Sequence, residues 1–263
     1  MNIFSIGSGS SGNSIYVGNG STHLLFDVGL STKRIVNGLV NAGIDPGKLS
    51  GIFITHEHID HIKGLPVFLK KYPVPVFLTA GTMDAVRLKF PEIPGERFRI
   101  IRRNDSIVIG DLVVSSCPIP HDAADPVCYT VTGDGRKIAL ATDIGYADEA
   151  IVRHISGSDI LYIESNYDRN MLLCGSYPLE LKKRILSDFG HLSNEDCVAL
   201  VRAVRHEKLK KIILAHLSEE NNYPAIALET MKNGLMDMWD LESDIPEIVV
   251  ADRREPIPVI STE

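Results

Sequence analysis

Residues 53 to 65 read FITHEHIDHIKGL, and the six positions His56 to His61 hold three histidines and two carboxylates. Such side chains are costly to desolvate and add little packing. They follow directly on "GIFIT" (51–55), an apolar run bounded by turn residues that reads as a buried strand. Polar density at the end of such a strand calls for a compensating partner, and a metal ion is the first candidate. The i, i+2 spacing of His56 and His58 puts both side chains on one side of an extended backbone, and Asp60 and His61 then fall at the start of the next helix, where they can face a second position. Four ligand-type residues from one turn can begin two metal sites but cannot complete them.

The rest of the set must come from far along the chain, and the sequence offers a regularity. Apolar strand runs repeatedly end in a titratable residue: "LLF" at Asp27, "GIFIT" at His56, "CPIP" at His121, "KIALAT" at Asp143, "ILYI" at Glu164 and "KIILA" at His216. If these ends share one edge of the sheets, they line a single cleft, where loop-borne chemistry is displayed on a rigid scaffold. A carboxylate such as Asp143 can bridge two cations through its two oxygens, which an imidazole cannot do. His23, His154 and His206 lack this context and read as surface or satisfied histidines.

Around these motifs, period-two runs predict strands at 2–7, 13–18, 23–29, 51–55 and 74–79, then 106–110, 112–119, 127–133, 136–142, 159–164 and 211–216. Helices are predicted at 32–42, 60–72, 82–90, 148–155, 178–188, 194–205 and 224–238, with Ser193 as the cap of the helix at 194. Strands and helices occur in both halves, which indicates an α+β protein with sheets packed together and helices outside. No repeat, low-complexity tract or linker interrupts residues 1–263, so a single large domain is expected.

Composition bounds the function. The net charge of −7 argues against a general nucleic-acid coat protein but leaves room for an enzyme acting on nucleic acid through a local basic groove. Basic clusters are present at Arg97, Arg99, Arg102 and Arg103, at Lys182 to Arg184, and from Arg202 to Lys211. No apolar run approaches membrane-spanning length and no signal segment opens the chain, so a cytoplasmic protein with no membrane partner is expected. Cys117, Cys128, Cys174 and Cys197 form no CxxC pair and read as scattered buried thiols.

The motifs "FDVG", "THEHIDH", "PIPHD", "ATDIG" and "LAHLS", in that order, resemble those of the metallo-β-lactamase superfamily of binuclear hydrolases over nearly the whole chain. The resemblance implies a four-layer αββα sandwich and two divalent ions, zinc or manganese with iron also compatible with the donors. By carry-over, His56, His58 and His121 would hold one ion, Asp60, His61 and His216 the other, and Asp143 would bridge them. Asp27 would orient this set from behind. Two such ions about 3.5 to 4 Å apart generate hydroxide near neutral pH and stabilise the charge formed on attack. That chemistry suits several substrate classes, and the fold does not choose among them.

Glu164 in "LYIESNYD" and His191 in "FGHLSNED" discriminate further. Their order resembles the nuclease branch typified by RNase Z, where a glutamate orients a histidine that protonates the leaving alkoxide. With Asp60 and Asp143 they form the expected catalytic set. The stretches "FSIGSGSSGNS", "ITHEHIDH", "GHLSNED" and "LAHLSEENN" are similar to the YycJ/WalJ family, which implies a 5′-to-3′ exonuclease preferring single-stranded DNA. The loop Gly7 to Ser14 would then lie near the metals and offer backbone N–H groups to a phosphate. No Gly/Pro-rich arm of the tRNA-processing enzymes is present. The alternatives are a small-molecule hydrolase of the same fold, acting on a cyclic phosphodiester, lactone or thioester, and a non-catalytic metal-binding regulator.

Overall fold

The computed structural model describes residues 1–236 and 246–262. Its strands belong to two seven-stranded mixed sheets. The first has the order β14-β1-β2-β3-β4-β5-β6, comprising β1 (Asn2–Gly7), β2 (Ser14–Gly18), β3 (His23–Phe26), β4 (Gly51–Phe53), β5 (Val76–Leu78), β6 (Phe98–Ile100) and β14 (Ile260–Ser261). The second has the order β13-β12-β11-β10-β9-β8-β7, comprising β7 (Ser106–Ile109), β8 (Leu112–Pro118), β9 (Val127–Gly133), β10 (Arg136–Ala141), β11 (Ile160–Glu164), β12 (Lys211–Ala215) and β13 (Glu247–Val250). The α+β class expected from the alternation of strands and helices is what the chain adopts.

The chain divides into two compact units, one of Met1–Pro118, Ala123–Gly135 and Asp252–Glu263, the other of Ile119–Asp122 and Arg136–Ala251. In the first unit β1, β2 and β3 are antiparallel and β3 to β6 parallel, with register pairs Phe26↔Phe53 and Phe53↔Phe77. That register stacks Phe26 on Phe53 and Phe53 on Phe77, with ring centroids 5.3 and 4.7 Å apart. Tyr129 of β9 reaches this row from another strand layer, at 5.5 Å from both Phe26 and Phe53, and its hydroxyl donates to the Ile54 carbonyl at 2.7 Å. Each aromatic pair contributes about 1 kcal/mol beyond its burial. The polar end of Tyr129 thereby fixes the backbone two residues before His56.

Helices α1 (Thr32–Asn41), α2 (Ile59–Ile62), α3 (Leu65–Lys71) and α4 (Ala80–Lys89) complete the first unit. Ser31 and Thr79 cap α1 and α4 by accepting from the amides of Arg34 and Thr82. The single helix predicted over 60–72 is in fact two, α2 and α3. Gly64 lies at the break, its amide donating to the Val28 carbonyl at 2.8 Å, and an added Cβ would stand 2.0 Å from the Leu30 carbonyl oxygen. The periodic pattern runs through this point because both short helices bury the same side.

The second unit carries the parallel strands β10 to β13, with Ala141↔Ile163 and Glu164↔Ala215 in register. Their helices are α5 (Glu149–Ile155), α6 (Arg169–Cys174), α7 (Leu179–Ile185), α8 (Asn194–Val204) and α9 (Pro224–Leu235). Ser193 caps α8, accepting from the Asp196 amide at 3.1 Å. The helix predicted over 224–238 begins as expected, and its last two positions lie outside the described residues. Strands β6, β13 and β14 and helix α6 were not predicted; all are short, and β13 and β14 occur near the C-terminus among residues without alternation. Among the cysteines, Cys117, Cys128 and Cys197 are buried and Cys174 is exposed, and Cys117 stands opposite Cys128 in the β8–β9 register.

Candidate metal centre

In the first unit the polar residues gather at the carboxyl ends of β3 and β4, the edge where ligands bind in open parallel sheets. Asp27 follows β3 with a left-handed backbone, φ 59°, and its amide donates to the Phe53 carbonyl at 2.9 Å. This bend turns its carboxylate toward the next segment. Oδ1 accepts from the Thr55 amide at 2.9 Å, and Oδ2 accepts from the Thr55 hydroxyl at 2.9 Å and from His61 Nδ1 at 2.7 Å. Since the Thr55 hydroxyl proton goes to Asp27, its oxygen is the acceptor for His56 Nδ1, 3.0 Å away. One buried carboxylate thus fixes two imidazoles as Nδ1–H tautomers, so that Nε2 of each carries the lone pair.

His58 is the N-cap of α2, so Asp60 and His61 fall in its first turn, as predicted. The rings of His56 and His58 lie 4.6 Å apart and those of His56 and His61 4.1 Å apart. Asn13, from the glycine- and serine-rich loop after β1, joins them. Its Oδ1 accepts from the Gly9 amide at 2.8 Å, and its Nδ2 lies 3.3 Å from Asp60 Oδ2 and 3.0 Å from His61 Nε2. With the His61 tautomer set by Asp27, the Asn13 amide donates to that Nε2.

The second unit repeats this logic at the ends of β10, β11 and β12. Asp143 and His216 both have left-handed backbones, φ 61° and 56°, immediately past their strands. Asp143 Oδ1 lies between two imidazole nitrogens, 3.8 Å from His121 Nε2 and 3.5 Å from His216 Nε2. His121 directs Nδ1 to the Gly190 carbonyl at 3.2 Å. His216 directs Nδ1 to Glu164 Oε1 at 3.0 Å, and the Asn166 amide holds its carbonyl at 2.7 Å.

Glu164 is fully buried and accepts four hydrogen bonds. Oε1 takes Nδ1 of both His216 and His191, the latter at 2.8 Å, and Oε2 takes the amides of Ile144 at 2.9 Å and Leu192 at 3.2 Å. Burial pushes its carboxyl up, but the charge and hydrogen bonds of His191 and His216 outweigh it and hold the group below the usual carboxylate range. Asp143, Glu164, His191 and His216 offer ligand atoms within 4.8 Å of one another. Glu164 is nonetheless an anchor rather than a ligand, because both its oxygens are already spent on donors.

The donor set fits a divalent metal ion. His56, His61, His121 and His216 each commit Nδ1 to an oxygen behind the ring, which makes Nε2 the atom available in kind to a metal, the one on His61 accepting from Asn13 in this structure. Nitrogen and carboxylate donors without cysteine match zinc, manganese or iron. Residues that the sequence did not single out do much of the orienting: Asn13, Thr55, Asn166 and the Gly190 carbonyl. The available signal was the small polar residues directly after each apolar strand, Thr55 after β4 and Ser165–Asn166 after β11. Two of the remaining histidines are satisfied elsewhere, His23 by the Tyr16 hydroxyl at 2.7 Å and His206 by the Ser158 carbonyl at 2.9 Å.

Residues 22–216 match the family model described as the β-lactamase superfamily domain. The chain belongs to that superfamily. Within the superfamily it is 41% identical over 222 residues to "Exodeoxyribonuclease YycJ" of Bacillus anthracis, covering 84% of each chain. It is 38% identical over 233 residues to "Exodeoxyribonuclease WalJ" of Streptococcus pneumoniae, covering 88% of this chain and 86% of the relative. The superfamily fold is seen directly in the metallo-β-lactamase fold protein YhfI from Bacillus subtilis, which superposes with a TM-score of 0.71 at 13% identity, over 97% of this chain and 98% of that one. The resemblance carried by "THEHIDH" and its partner motifs is therefore one of family and fold.

Proposed function

We propose that this protein is a metal-dependent exodeoxyribonuclease that shortens DNA from the 5′ end and prefers single strands. The observation that carries the reading is the pairing of His191 Nδ1 with buried Glu164 at 2.8 Å, beside Asp143 and His216. A phosphodiester expels a poor alkoxide leaving group that departs faster when protonated, unlike the thiolate of a thioester, and a carboxylate-held histidine supplies the proton. The names of the two relatives described above agree with this chemistry.

In this reading His56, His58 and His121 hold one ion, Asp60, His61 and His216 a second, and Asp143 bridges, all within one hydrolase domain of residues 1–263. Zinc or manganese would supply hydroxide at neutral pH and neutralise charge developing on the phosphate. The chain's own residues do the rest. Glu164 fixes the His191 ring so that Nε2 is the atom that carries the departing proton, and the 18% exposure of this side chain gives the leaving oxygen access to it. Asp60 and Asp143 add the carboxylates that make the cluster attractive to cations and set its geometry. Asn13 holds Asp60 and His61 against the glycine-rich loop, whose amides suit a neighbouring phosphate. Among the described residues no helix is long and apolar enough to cross a membrane, which agrees with a cytoplasmic enzyme acting on DNA.

The test is cleavage of end-labelled single-stranded and duplex DNA, with matched RNA, by protein loaded with manganese or zinc. Wild type is expected to release nucleotides from the 5′ end of single-stranded DNA. Asp143→Ala is expected to be inactive and His191→Ala slowed by about 10² to 10⁴-fold. A wild type that binds two equivalents of metal and cleaves none of the polymers would sink the reading.

A further inference from the structure

Among the described residues the exposed aromatic side chains are Tyr146, Phe189 and Tyr223, at 48%, 57% and 60% exposure. Single exposed apolar residues are ordinary on any surface. The placement of these three is not random. Tyr146 lies three residues after Asp143, Phe189 two before His191, and Tyr223 closes the loop that begins at His216. All three belong to the second compact unit, and no other exposed aromatic occurs among its described residues.

The backbone of that unit brings the segments that carry them toward one edge. Strands β10, β11 and β12 are parallel and in register, so the loops that follow them leave the same edge. The Tyr146 loop and the Phe189 turn also touch: a Cβ at Gly145 would lie 2.0 Å from the Asp188 carbonyl oxygen and 2.7 Å from the Phe189 nitrogen. The Gly145 amide is held by the Pro120 carbonyl at 2.8 Å, next to His121. The Tyr223 loop is tied to the end of β11, where the Asn222 amide donates to the Ser165 and Asn166 carbonyls at 2.9 and 3.1 Å. Rings on anchored loops lose little further freedom when a ligand covers them.

We infer that Tyr146 and Phe189, with Tyr223 at the far side, form a stacking platform for unpaired nucleobases flanking the phosphate that the Glu164–His191 pair serves. This rests on the nuclease reading and gives it a substrate form. A phosphate-directed site is polar, and solvent-facing rings on its loops add nothing to phosphate affinity. The ligand that presents flat aromatic faces beside a phosphodiester is a nucleotide whose base is unstacked, and base–aromatic stacking is tolerant of sequence because every base has such a face. In a duplex those faces are buried against neighbouring pairs. The platform therefore discriminates strand state rather than base identity.

The experiment measures binding by fluorescence anisotropy of labelled oligo(dT), an abasic oligomer of equal length and a blunt duplex, with EDTA present so that nothing is cleaved. Wild type, Tyr146→Ala, Phe189→Ala and Phe189→Trp are compared, and their thermal melts confirm the fold. Each alanine variant is expected to bind oligo(dT) about tenfold more weakly, with the abasic oligomer unaffected. Phe189→Trp is expected to restore affinity and to show indole quenching by oligo(dT), beyond any change in Trp239, that the abasic oligomer does not cause. Alanine variants that bind oligo(dT) as wild type does, while wild type cleaves DNA, overturn the platform and leave the nuclease reading intact. The same result with a changed sedimentation mass assigns the rings to contact between copies, which also overturns it. A metal-loaded wild type that neither binds nor cleaves DNA removes both readings together.

Discussion

Replacing Glu164 by glutamine keeps the side-chain shape and exchanges one acceptor oxygen for a donor. Four donors converge on this carboxylate, so the variant must break at least one bond and lose the charge that holds His191. Changes to a group behind a metal ligand cost about 10 to 100-fold in metal affinity or activity. Glu164→Gln is expected to lower both, since the same oxygen faces His191 and His216, and titration with manganese alongside kcat reads the two separately. The group also sets an acid limit for the metal-free chain. Its folded pKa lies below the ordinary 4.5, so the unfolded chain takes up the proton first and stability falls as pH drops below about 4.5. Urea melts of the chelated protein at pH 7 and pH 4 should differ more for wild type than for Glu164→Gln. The residue types at these positions were legible in the sequence. Their left-handed backbones at Asp27, Asp143 and His216 were not, because only glycine advertises a positive φ, and here ordinary residues adopt it at some energetic cost.

At the scale of elements, the loop after β3 and helix α2 meet with no space between them. An added Cβ at Gly29 would lie 1.5 Å from the Asp60 carbonyl oxygen, while the Asn13 amide donates to that oxygen and the Gly29 amide to the Asn13 carbonyl. Gly29→Ala must therefore push α2 outward, and with it Asp60 and His61. Overpacking of this kind costs about 1–3 kcal/mol, and displacing these two candidate ligands should weaken metal binding as well. Denaturant melts and metal titration are expected to report both losses; a variant that melts like wild type and loads metal normally would show that α2 yields without effect. Strand and helix identities in this region follow from apolar periodicity. The break between α2 and α3 does not, because the pattern is continuous and the cause is a backbone oxygen from residue 30, distant in sequence.

For the whole molecule, metal and folding are linked. A ligand that binds only the native state stabilises it by about 2.7 kcal/mol at a hundredfold excess over its Kd, and about 1 kcal/mol moves the midpoint of a chain of this size by roughly 2–4 °C. Manganese or zinc is thus expected to raise the Tm by about 5–11 °C relative to EDTA-treated protein. The increment should be largely absent in Asp143→Ala. The sequence disclosed the family, the order of the motifs and the strand ends where the candidate ligands lie, since strand ends are local features. It did not disclose which oxygens stand behind the imidazoles, because Thr55 to Asp27 and His121 to Gly190 are joined only by the folded chain.

One oxygen of Glu164 serves both His191 and His216, and this has an evolutionary corollary. A lineage adapting to a leaving group of different basicity would retune the proton donor, yet any substitution at position 164 also disturbs His216, a candidate ligand at the end of the neighbouring parallel strand. Divergence within this architecture is then expected to spare the glutamate and proceed through the loops that bear Tyr146, Phe189 and Tyr223, where new substrates can be explored without reopening the chemistry.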